Sequence, residues 1–130
     1  MVVKPGRDPL EIVRCACLAL PEVSERLSHG APTFFVRDKK SFVMVWPDGH
    51  HQHEFAHLWA AAPAGVQQEL VDDEPDRFFR PPYVGGRGWI GMRLDKRIDE
   101  SEIAGICGEA FCVVAPPPLV RVLRDGMPSR

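Results

Sequence analysis

The chain has 130 residues, which is the length of one ordinary domain and too short for two independent cores. Hydrophobic residues make up 45% and charged residues 26%, values that exclude disordered and fibrous proteins. The formal net charge of −2 excludes a globally basic nucleic-acid-binding protein but allows a local basic face. The sequence has no apolar run of membrane-spanning length and no apolar leader near its first residue. We therefore expect a single-domain cytoplasmic protein with no membrane partner.

The first predicted element is a helix. Asp8 is a suitable N-cap, Pro9 suits the first helical position, and apolar residues then recur at helical spacing until Pro21. Residues 22–32 follow as a predicted linker.

Strands are predicted next. The segments 33–37 and 41–46 are rich in aromatic and β-branched residues and flank a polar tripeptide, a pattern typical of a β-hairpin. A third strand is predicted over 52–60, with Phe55, His57 and Trp59 on one face. The three strands would form an antiparallel meander.

The second half of the domain alternates helix, loop, strand and helix. A short helix is predicted after Pro63, and the proline- and glycine-rich segment 81–88 is predicted to be an ordered loop. The alternation in 89–94 predicts a last strand whose partly solvated face carries Trp89 and Arg93. The final helix begins after its N-cap Asp99 and ends at the prolines 116–118.

Together these elements predict one α+β domain. A curved antiparallel sheet of about four strands would have the helices packed on one side. The domain is expected to span 8–115, and residues 116–130 are expected to form a proline-rich, mobile C-terminal tail.

The histidines and cysteines do not predict a reactive site. His51, His53 and His57 would share one strand face, but His53 and His57 would then stand roughly 13 Å apart, too far to bind one metal ion directly. We therefore expect turn and surface histidines and no metal site. The four cysteines lack Cys-x-x-Cys spacing, which favours buried thiols that pack as small apolar residues. The glycines of 85–88 precede a strand, so a tight turn is preferred over a phosphate cradle.

Charge is unevenly distributed along the chain. Between Pro75 and Arg97 the sequence has six basic and two acidic residues, and the hairpin turn adds Arg37, Lys39 and Lys40. A basic face that also carries aromatic rings is suited to contacts with phosphates and bases. The alternative is that these arginines pair with the acidic stretches on an ordinary surface.

Several segments resemble a known family. The segments that carry the resemblance are 19–23 (ALPEV), 29–34 (HGAPTF), 76–79 (DRFF), 81–85 (PPYVG) and 87–95 (RGWIGMRLD). They are similar, in the same order, to the MmcQ/YjbR-like family of small bacterial proteins, over about 8–115. The resemblance implies an α+β fold of the double-wing or frataxin-like kind. Members of that family are described as DNA-binding proteins, a description that rests on likeness of fold.

The resemblance implies no catalytic residues and no cofactor. Frataxin-like folds raise iron binding as an alternative, but Asp8 and Glu11 are the only acidic residues of the first helix, which disfavours it. Our leading hypothesis is a non-enzymatic DNA-binding domain, with the oligomeric state left open. Its predicted phosphate-binding cations and stacking rings are Arg37, Lys39, Lys40, Arg80, Tyr83, Arg87, Trp89 and Arg93.

A second hypothesis is a small-ligand or protein-interaction module. Its cleft, on the concave sheet face, would be closed by the loop 81–88 and lined by Trp46, Trp59, Tyr83 and Trp89. Core packing beneath the helices is the other interpretation of Trp46 and Trp59. An enzyme ranks third among these hypotheses, because the histidines and cysteines of the sequence show no recognisable catalytic order.

Overall fold

The structure is a computed structural model that describes residues 8–50, 52–96 and 98–125. Within these ranges four helices accompany one sheet of six strands. The strands are β1 (Val23–Ser28), β2 (Ala31–Val36), β3 (Lys40–Trp46), β4 (His57–Ala60), β5 (Phe78–Phe79) and β6 (Ile90–Arg93). The helices are α1 (Pro9–Leu18), α2 (Val66–Asp73), α3 (Glu100–Val114) and α4 (Pro117–Asp125).

All neighbouring strands of the sheet are antiparallel, in the order β1-β2-β3-β4-β6-β5. The α+β class is confirmed, as are the predicted hairpin of β2 and β3 and the last long strand, β6. The sheet is open and has two strands more than the predicted four.

The two additional strands lacked a readable pattern. β1 lies inside the predicted linker 22–32 and forms an edge of the sheet, where its side chains are only partly buried on either face. No apolar alternation marks such a strand, because neither face is fully removed from water. β5 has only two residues, too few to show any period.

Helices α1 and α3 cover one face of the sheet. Their N-caps are confirmed: Asp8 Oδ1 accepts a hydrogen bond from the Leu10 N–H, and Asp99 Oδ1 accepts from the N–H of Ser101. The Phe111 ring of α3 packs edge-on against Phe42 of β3, with 5.8 Å between the ring centroids. The main hydrophobic core therefore lies between these helices and the sheet.

Two of the four cysteines belong to this core. Cys17 on α1 and Cys107 on α3 are fully buried, as expected of thiols that pack as apolar residues. Burial raises the pKa of the Cys17 thiol, and the neighbouring Cys107 raises it further. The same expectation is wrong for Cys15, which is exposed.

The expected tail contains a helix. Residues 117–125 form α4, and Leu119 on it is only 4% exposed. Pro117 and Pro118 lie in its first turn, where a missing N–H leaves no hydrogen bond unmade, so these prolines begin one helix just after α3 has ended. The rest of the predicted tail, 126–130, lies outside the described residues. None of the described helices has the length and apolar character that crossing a membrane requires.

Candidate functional site

The face of the sheet that points away from α1 and α3 is rich in aromatic side chains. Side chains alternate between the two faces of a strand, so the neighbours of the core residue Val45 point to this second face. Antiparallel pairing places Met44 opposite Trp59 and Trp46 opposite His57. We call this surface the aromatic face.

A β-bulge in β3 adds a polar group to the aromatic face. The pairing between β2 and β3 moves from Phe34 with Val43 to Phe35 with Ser41, so Phe42 is an extra residue on β3. Phe42 turns toward the helices, and Ser41 consequently points to the aromatic face.

A cleft of about 550 Å³ lies on the aromatic face. All three tryptophans of the chain, Trp46, Trp59 and Trp89, line it, together with the single tyrosine, Tyr83. Its volume falls within the roughly 300–1,000 Å³ typical of small-ligand pockets. Both tryptophans line this cleft, but Trp59 is only 3% exposed and belongs to the hydrophobic core, so the core-packing interpretation also holds for Trp59.

One side of the cleft is a continuous set of rings, which we call the aromatic wall: Trp46, His50, Trp59 and Tyr83. The centroids of Trp46 and Trp59 are 5.0 Å apart, and the His50 ring lies 4.8 Å from Trp46. Tyr83 extends the wall, with centroid distances of 6.3 Å to Trp59 and 6.1 Å to His50. These tilted and edge-on arrangements are the favourable ones for aromatic pairs.

The aromatic wall also contains two unpaired hydrogen-bond donors. The indole N–H groups of Trp46 and Trp59 are buried and have no acceptor in the part of the chain that the structure describes. Buried polar groups are hydrogen-bonded in the great majority of cases, so two unpaired donors on one wall need an explanation.

The polar groups around the cleft are neutral or cationic. Ser28, His29, Ser41 and Arg87 line it, and none of the described lining residues carries a carboxylate. The Arg87 guanidinium lies 5.4 Å from the centroid of the Trp89 ring, close enough for a cation–π contact.

The segment that carries Arg87 and Trp89 is fixed by Gln67 on α2. Gln67 Nε2 donates hydrogen bonds to the carbonyl oxygens of Gly85, at 2.9 Å, and Trp89, at 2.6 Å. Gly85 begins the short 3₁₀ turn Gly85–Arg87, and Trp89 lies two residues after its end. The sequence did not predict this role of Gln67, because a glutamine on a short polar helix is typical of a solvent-exposed position.

Two residues that line the cleft adopt left-handed backbone conformations. The φ angle is +66° at Tyr83 and +53° at His29. At His29 this conformation belongs to the two-residue turn His29–Gly30 between β1 and β2, a turn that favours left-handed residues. At Tyr83 no such turn accounts for it, and left-handed conformations cost about 1–3 kcal/mol and concentrate at functional sites. The side chain of Tyr83 is also 73% exposed, so a residue with an uncommon backbone conformation presents an accessible ring at the edge of the cleft.

His57 lies beneath the aromatic face and is fully buried. Its Nδ1 donates a hydrogen bond to the Phe55 carbonyl oxygen at 2.7 Å, while its Nε2 has no partner among the described residues. Burial lowers the pKa of His57, and the nearby His53 and His50 lower it further. The expectation of a surface histidine is therefore wrong at this position.

The remaining histidines do not lie on a regular strand as predicted over 52–60. Because β4 begins only at His57, the preceding segment folds back as a loop, and His50 and His53 form an isolated bridge. The rings of His53 and His57 are consequently 5.9 Å apart by their centroids, not the 13 Å of a regular strand. His51 lies outside the described residues. Within the described ranges, no set of three or more His, Cys, Asp or Glu residues is arranged to hold a metal ion.

The basic residues predicted to contact DNA do not form one surface with the cleft. The hairpin turn places Lys39 and Lys40 beside Val114 at the end of α3, where they line a separate, shallow depression. Arg37 of the same turn is paired with Glu22, with 2.8 Å between Nε and Oε1.

Acidic neighbours also neutralise part of the basic segment 75–97. Arg93 Nη2 lies 2.6 Å from Asp95 Oδ2, which raises the pKa of the arginine and lowers that of the carboxyl group. Arg77 pairs with Glu74 and Glu102. The alternative interpretation of ordinary surface ion pairs therefore holds for these two arginines.

The remaining predicted contact residues lie near the cleft. Arg80 is exposed beside Gln67, and Tyr83 and Arg87 are exposed on the cleft itself. Trp89 is only 6% exposed, so the prediction that it lies on a partly solvated face is wrong. It forms part of the cleft lining and is not free to stack on a base at the protein surface.

Comparison with solved structures shows the same fold elsewhere. The crystal structure of Deinococcus radiodurans protein DR2400, described as a DUF419 domain, superposes on this chain with a TM-score of 0.69. The match covers 92% of this chain and 88% of that protein, at 13% sequence identity. At this identity the similarity shows a common fold.

Comparison with sequence families gives the identity of the domain. No curated protein matches this sequence. The model of the YjbR family matches residues 18–113, most of the chain and all of the sheet. This agrees with the resemblance carried by the segments 19–23, 29–34, 76–79, 81–85 and 87–95. The chain therefore belongs to the YjbR family.

Proposed function

We propose that this protein is a non-enzymatic binding domain that holds a small molecule with a flat aromatic ring in its cleft. The observation that carries the proposal is the distribution of the large aromatic residues. All three tryptophans and the single tyrosine line one cleft of about 550 Å³, on the face of the sheet opposite the helices. Tyr83 is exposed and Trp46 is partly buried, so these two rings keep accessible surface on the cleft, whereas Trp59 and Trp89 are almost fully buried. Accessible rings on a cleft favour a role in binding.

Two further features support the proposal. The unpaired indole N–H groups of Trp46 and Trp59 leave donors on the aromatic wall for which the described chain has no acceptor. The left-handed conformation of Tyr83 keeps one residue of the cleft in a costly position, as is common at binding sites.

Among the described residues, the hydroxyl groups near the cleft lack the hydrogen-bonded histidine of a nucleophilic serine. A nucleophilic serine needs a base within hydrogen-bond reach. Neither Ser28 nor Ser41 is hydrogen-bonded to a histidine in the described part of the structure, and Thr33 on the same face bonds only to the Ala31 carbonyl.

The proposal can be tested with the neutral dye N-phenyl-1-naphthylamine, whose fluorescence rises in apolar, rigid surroundings. Energy transfer from the three tryptophans to the dye reports that the dye is bound to the protein, because the whole of so small a domain lies within transfer range, and variants are needed to locate it. We expect saturable binding of one dye per chain, with energy transfer that follows the same titration curve. Absence of saturable binding would contradict the proposal.

A pair of variants locates the dye. Tyr83→Ala removes an exposed ring of the aromatic wall, and Leu27→Ala removes an equally exposed apolar side chain outside the cleft; the two residues are 73% and 71% exposed. Tyr83→Ala should weaken dye binding about tenfold, since stacking on one aromatic ring contributes roughly 1–3 kcal/mol. Leu27→Ala should leave affinity unchanged. Equal loss in both variants would show nonspecific adsorption and would refute the assignment.

DNA binding, implied by the resemblance to the family, is the second candidate. The observation that favours it is the exposure of both Tyr83 and Arg87 on the cleft, a ring and a cation that suit a nucleotide of a single strand. The ion pairs of Arg37 and Arg93 disfavour a broad phosphate-binding surface for duplex DNA.

Fluorescence anisotropy with labelled single-stranded and duplex DNA separates the two candidates. Across roughly 50–200 mM salt, phosphate contacts reveal themselves by a steep fall in affinity. Binding of single strands that is lost in Arg87→Glu would support the DNA candidate, whereas no binding at the lowest salt would reject it. Retained affinity in Arg87→Glu would exclude the cleft as the contact surface.

A further inference from the structure

We propose that the ligand of the cleft is an aromatic anion, a flat ring system that carries one acidic group, with the acidic group held by Arg87. This inference rests on the proposed function and names the chemical class of its ligand. It requires a cation at the cleft that the protein does not neutralise, a fixed position for that cation, and no competing negative charge.

Arg87 differs from Arg77 and Arg93 in its charge partners, whereas Arg80 likewise has no carboxylate partner among the described residues and lies beside Gln67. Arg77 and Arg93 are each within ion-pair distance of a carboxylate. Arg87 has no such partner among the described residues, and its guanidinium contacts the Trp89 ring instead. A cation–π contact leaves the N–H donors at the edge of the guanidinium plane free to bind an oxyanion.

The position of Arg87 is set by the chain on both sides. It ends the 3₁₀ turn that Gln67 fixes through the carbonyl oxygens of Gly85 and Trp89. Gly88 follows at a φ of +87°, a conformation that glycine adopts without strain. A fixed backbone limits the positions that the exposed guanidinium can reach, which reduces the conformational entropy lost when it binds a matching anion.

The rest of the cleft is compatible with one negative charge and a flat ring. No described lining residue is acidic, so nothing repels an anion, and Ser28, His29 and Ser41 add neutral or cationic polar groups. The aromatic wall supplies the surface on which a ring can pack. A cationic ring would meet the same wall but would be repelled by Arg87.

A matched pair of dyes tests the inference. 8-Anilinonaphthalene-1-sulfonate has the ring system of N-phenyl-1-naphthylamine plus one sulfonate group, so the difference between their affinities isolates the contribution of the anion. We expect the sulfonate to bind about tenfold more tightly at low salt, since a hydrogen bond to a charged group typically contributes this much. Added salt should reduce the advantage, because the guanidinium is exposed.

Two variants assign the effect to Arg87. Arg87→Gln should abolish the preference for the sulfonate, measured as the ratio of the two dye affinities in the same variant. Lys39→Gln removes an exposed cation that lines a different depression, and it should alter neither affinity. If Arg87→Gln preserves the preference, or weakens both dyes equally, the inference is wrong. Thermal unfolding of each variant checks that the fold is retained.

Competition then separates the two common acidic groups. Naphthalene-2-carboxylate and 2-naphthyl phosphate carry the same ring, and their ability to displace the bound sulfonate shows whether a carboxylate or a phosphate is preferred. A different experimental result would contradict each of the two proposals. Binding of the neutral dye with no gain from the sulfonate would overturn the aromatic-anion inference alone. Absence of binding for every probe would overturn the proposed function as well.

Discussion

Gln67 on α2 donates a hydrogen bond to the carbonyl oxygen of Trp89, 22 residues further along the chain, at a distance of 2.6 Å. The same amide donates to the Gly85 carbonyl. A single side chain on a short helix therefore fixes the segment that supplies two of the cleft's residues, Arg87 and Trp89.

Replacement of Gln67 by leucine should destabilise the fold and weaken the cleft. Two partly buried carbonyl groups would lose their donor, which typically costs about 1–3 kcal/mol. Gln68→Leu is the matched control, because exposed Gln68 bonds only to Asp72 on its own helix and such pairs contribute about 0.2–0.5 kcal/mol. Urea denaturation measures both. Equal effects of the two substitutions would show that the Gln67 hydrogen bonds do not stabilise this segment.

Protonation of His57 should make the protein less stable in mild acid. Burial lowers its pKa in the folded state, so the unfolded chain binds the proton more readily. The free energy of unfolding should therefore fall as the pH drops below about 6.5, the ordinary histidine value, by at most about 1.4 kcal/mol per pH unit. The fall should end below the folded-state pKa.

The variant His57→Gln tests whether His57 causes this pH dependence of stability. Glutamine cannot titrate, so the decrease in stability between pH 7 and the region where carboxyl groups protonate should be absent, whatever the absolute stability of the variant. His29→Gln, at an exposed position, is the control. An unchanged pH profile in His57→Gln would assign the effect to other groups.

The helix α4 should contribute to the stability of the domain. Leu119 is 4% exposed and packs against the main core, so Leu119→Ala should cost about 2–5 kcal/mol in the free energy of unfolding. Val122 lies on the same helix and is 55% exposed, and Val122→Ala should change stability by less than about 0.5 kcal/mol. Thermal and chemical unfolding of the two variants decide between an integral helix and a dispensable tail. A negligible effect of Leu119→Ala would favour the tail.

Gly91 in β6 should not tolerate a side chain. A Cβ atom there would lie 2.4 Å from the ring of Phe79, which packs between His53 and Phe55 and has little room to move. Gly91→Ala should therefore cost about 1–3 kcal/mol. Gly105→Ala in α3 is the control, since nothing lies near the new methyl group and alanine favours a helix by roughly 1 kcal/mol. Stability that is unchanged in Gly91→Ala would contradict the close packing.

Local sequence patterns predicted three of the four described helices and the hairpin of β2 and β3. The caps Asp8 and Asp99 act through hydrogen bonds to residues two or three positions away, so the sequence contains all that is needed to recognise them. The β2–β3 hairpin likewise follows from adjacent apolar runs. Edge strand β1 was missed, because half-exposed strands lack a strong apolar period.

The prolines near the C-terminus show a limit of local patterns. A proline ends a preceding helix and also suits the first turn of a following one, and the sequence alone does not distinguish a tail from a new helix. The burial of Leu119 against the core decides in favour of α4. Tertiary packing supplies the free energy that a short isolated helix lacks.

The sequence by itself determined the α+β class, most element positions and the resemblance to the YjbR family. Only the tertiary structure decided which charges remain unpaired and which rings meet. Arg93 and Arg87 look alike in the sequence, but one is neutralised by Asp95 and the other lies unpaired on the cleft. The physical reason is the separation along the sequence between the residues that interact. Caps and strand alternation depend on near neighbours in the chain, whereas the cleft depends on contacts such as that of Gln67 with Trp89, which exist only after the chain has folded.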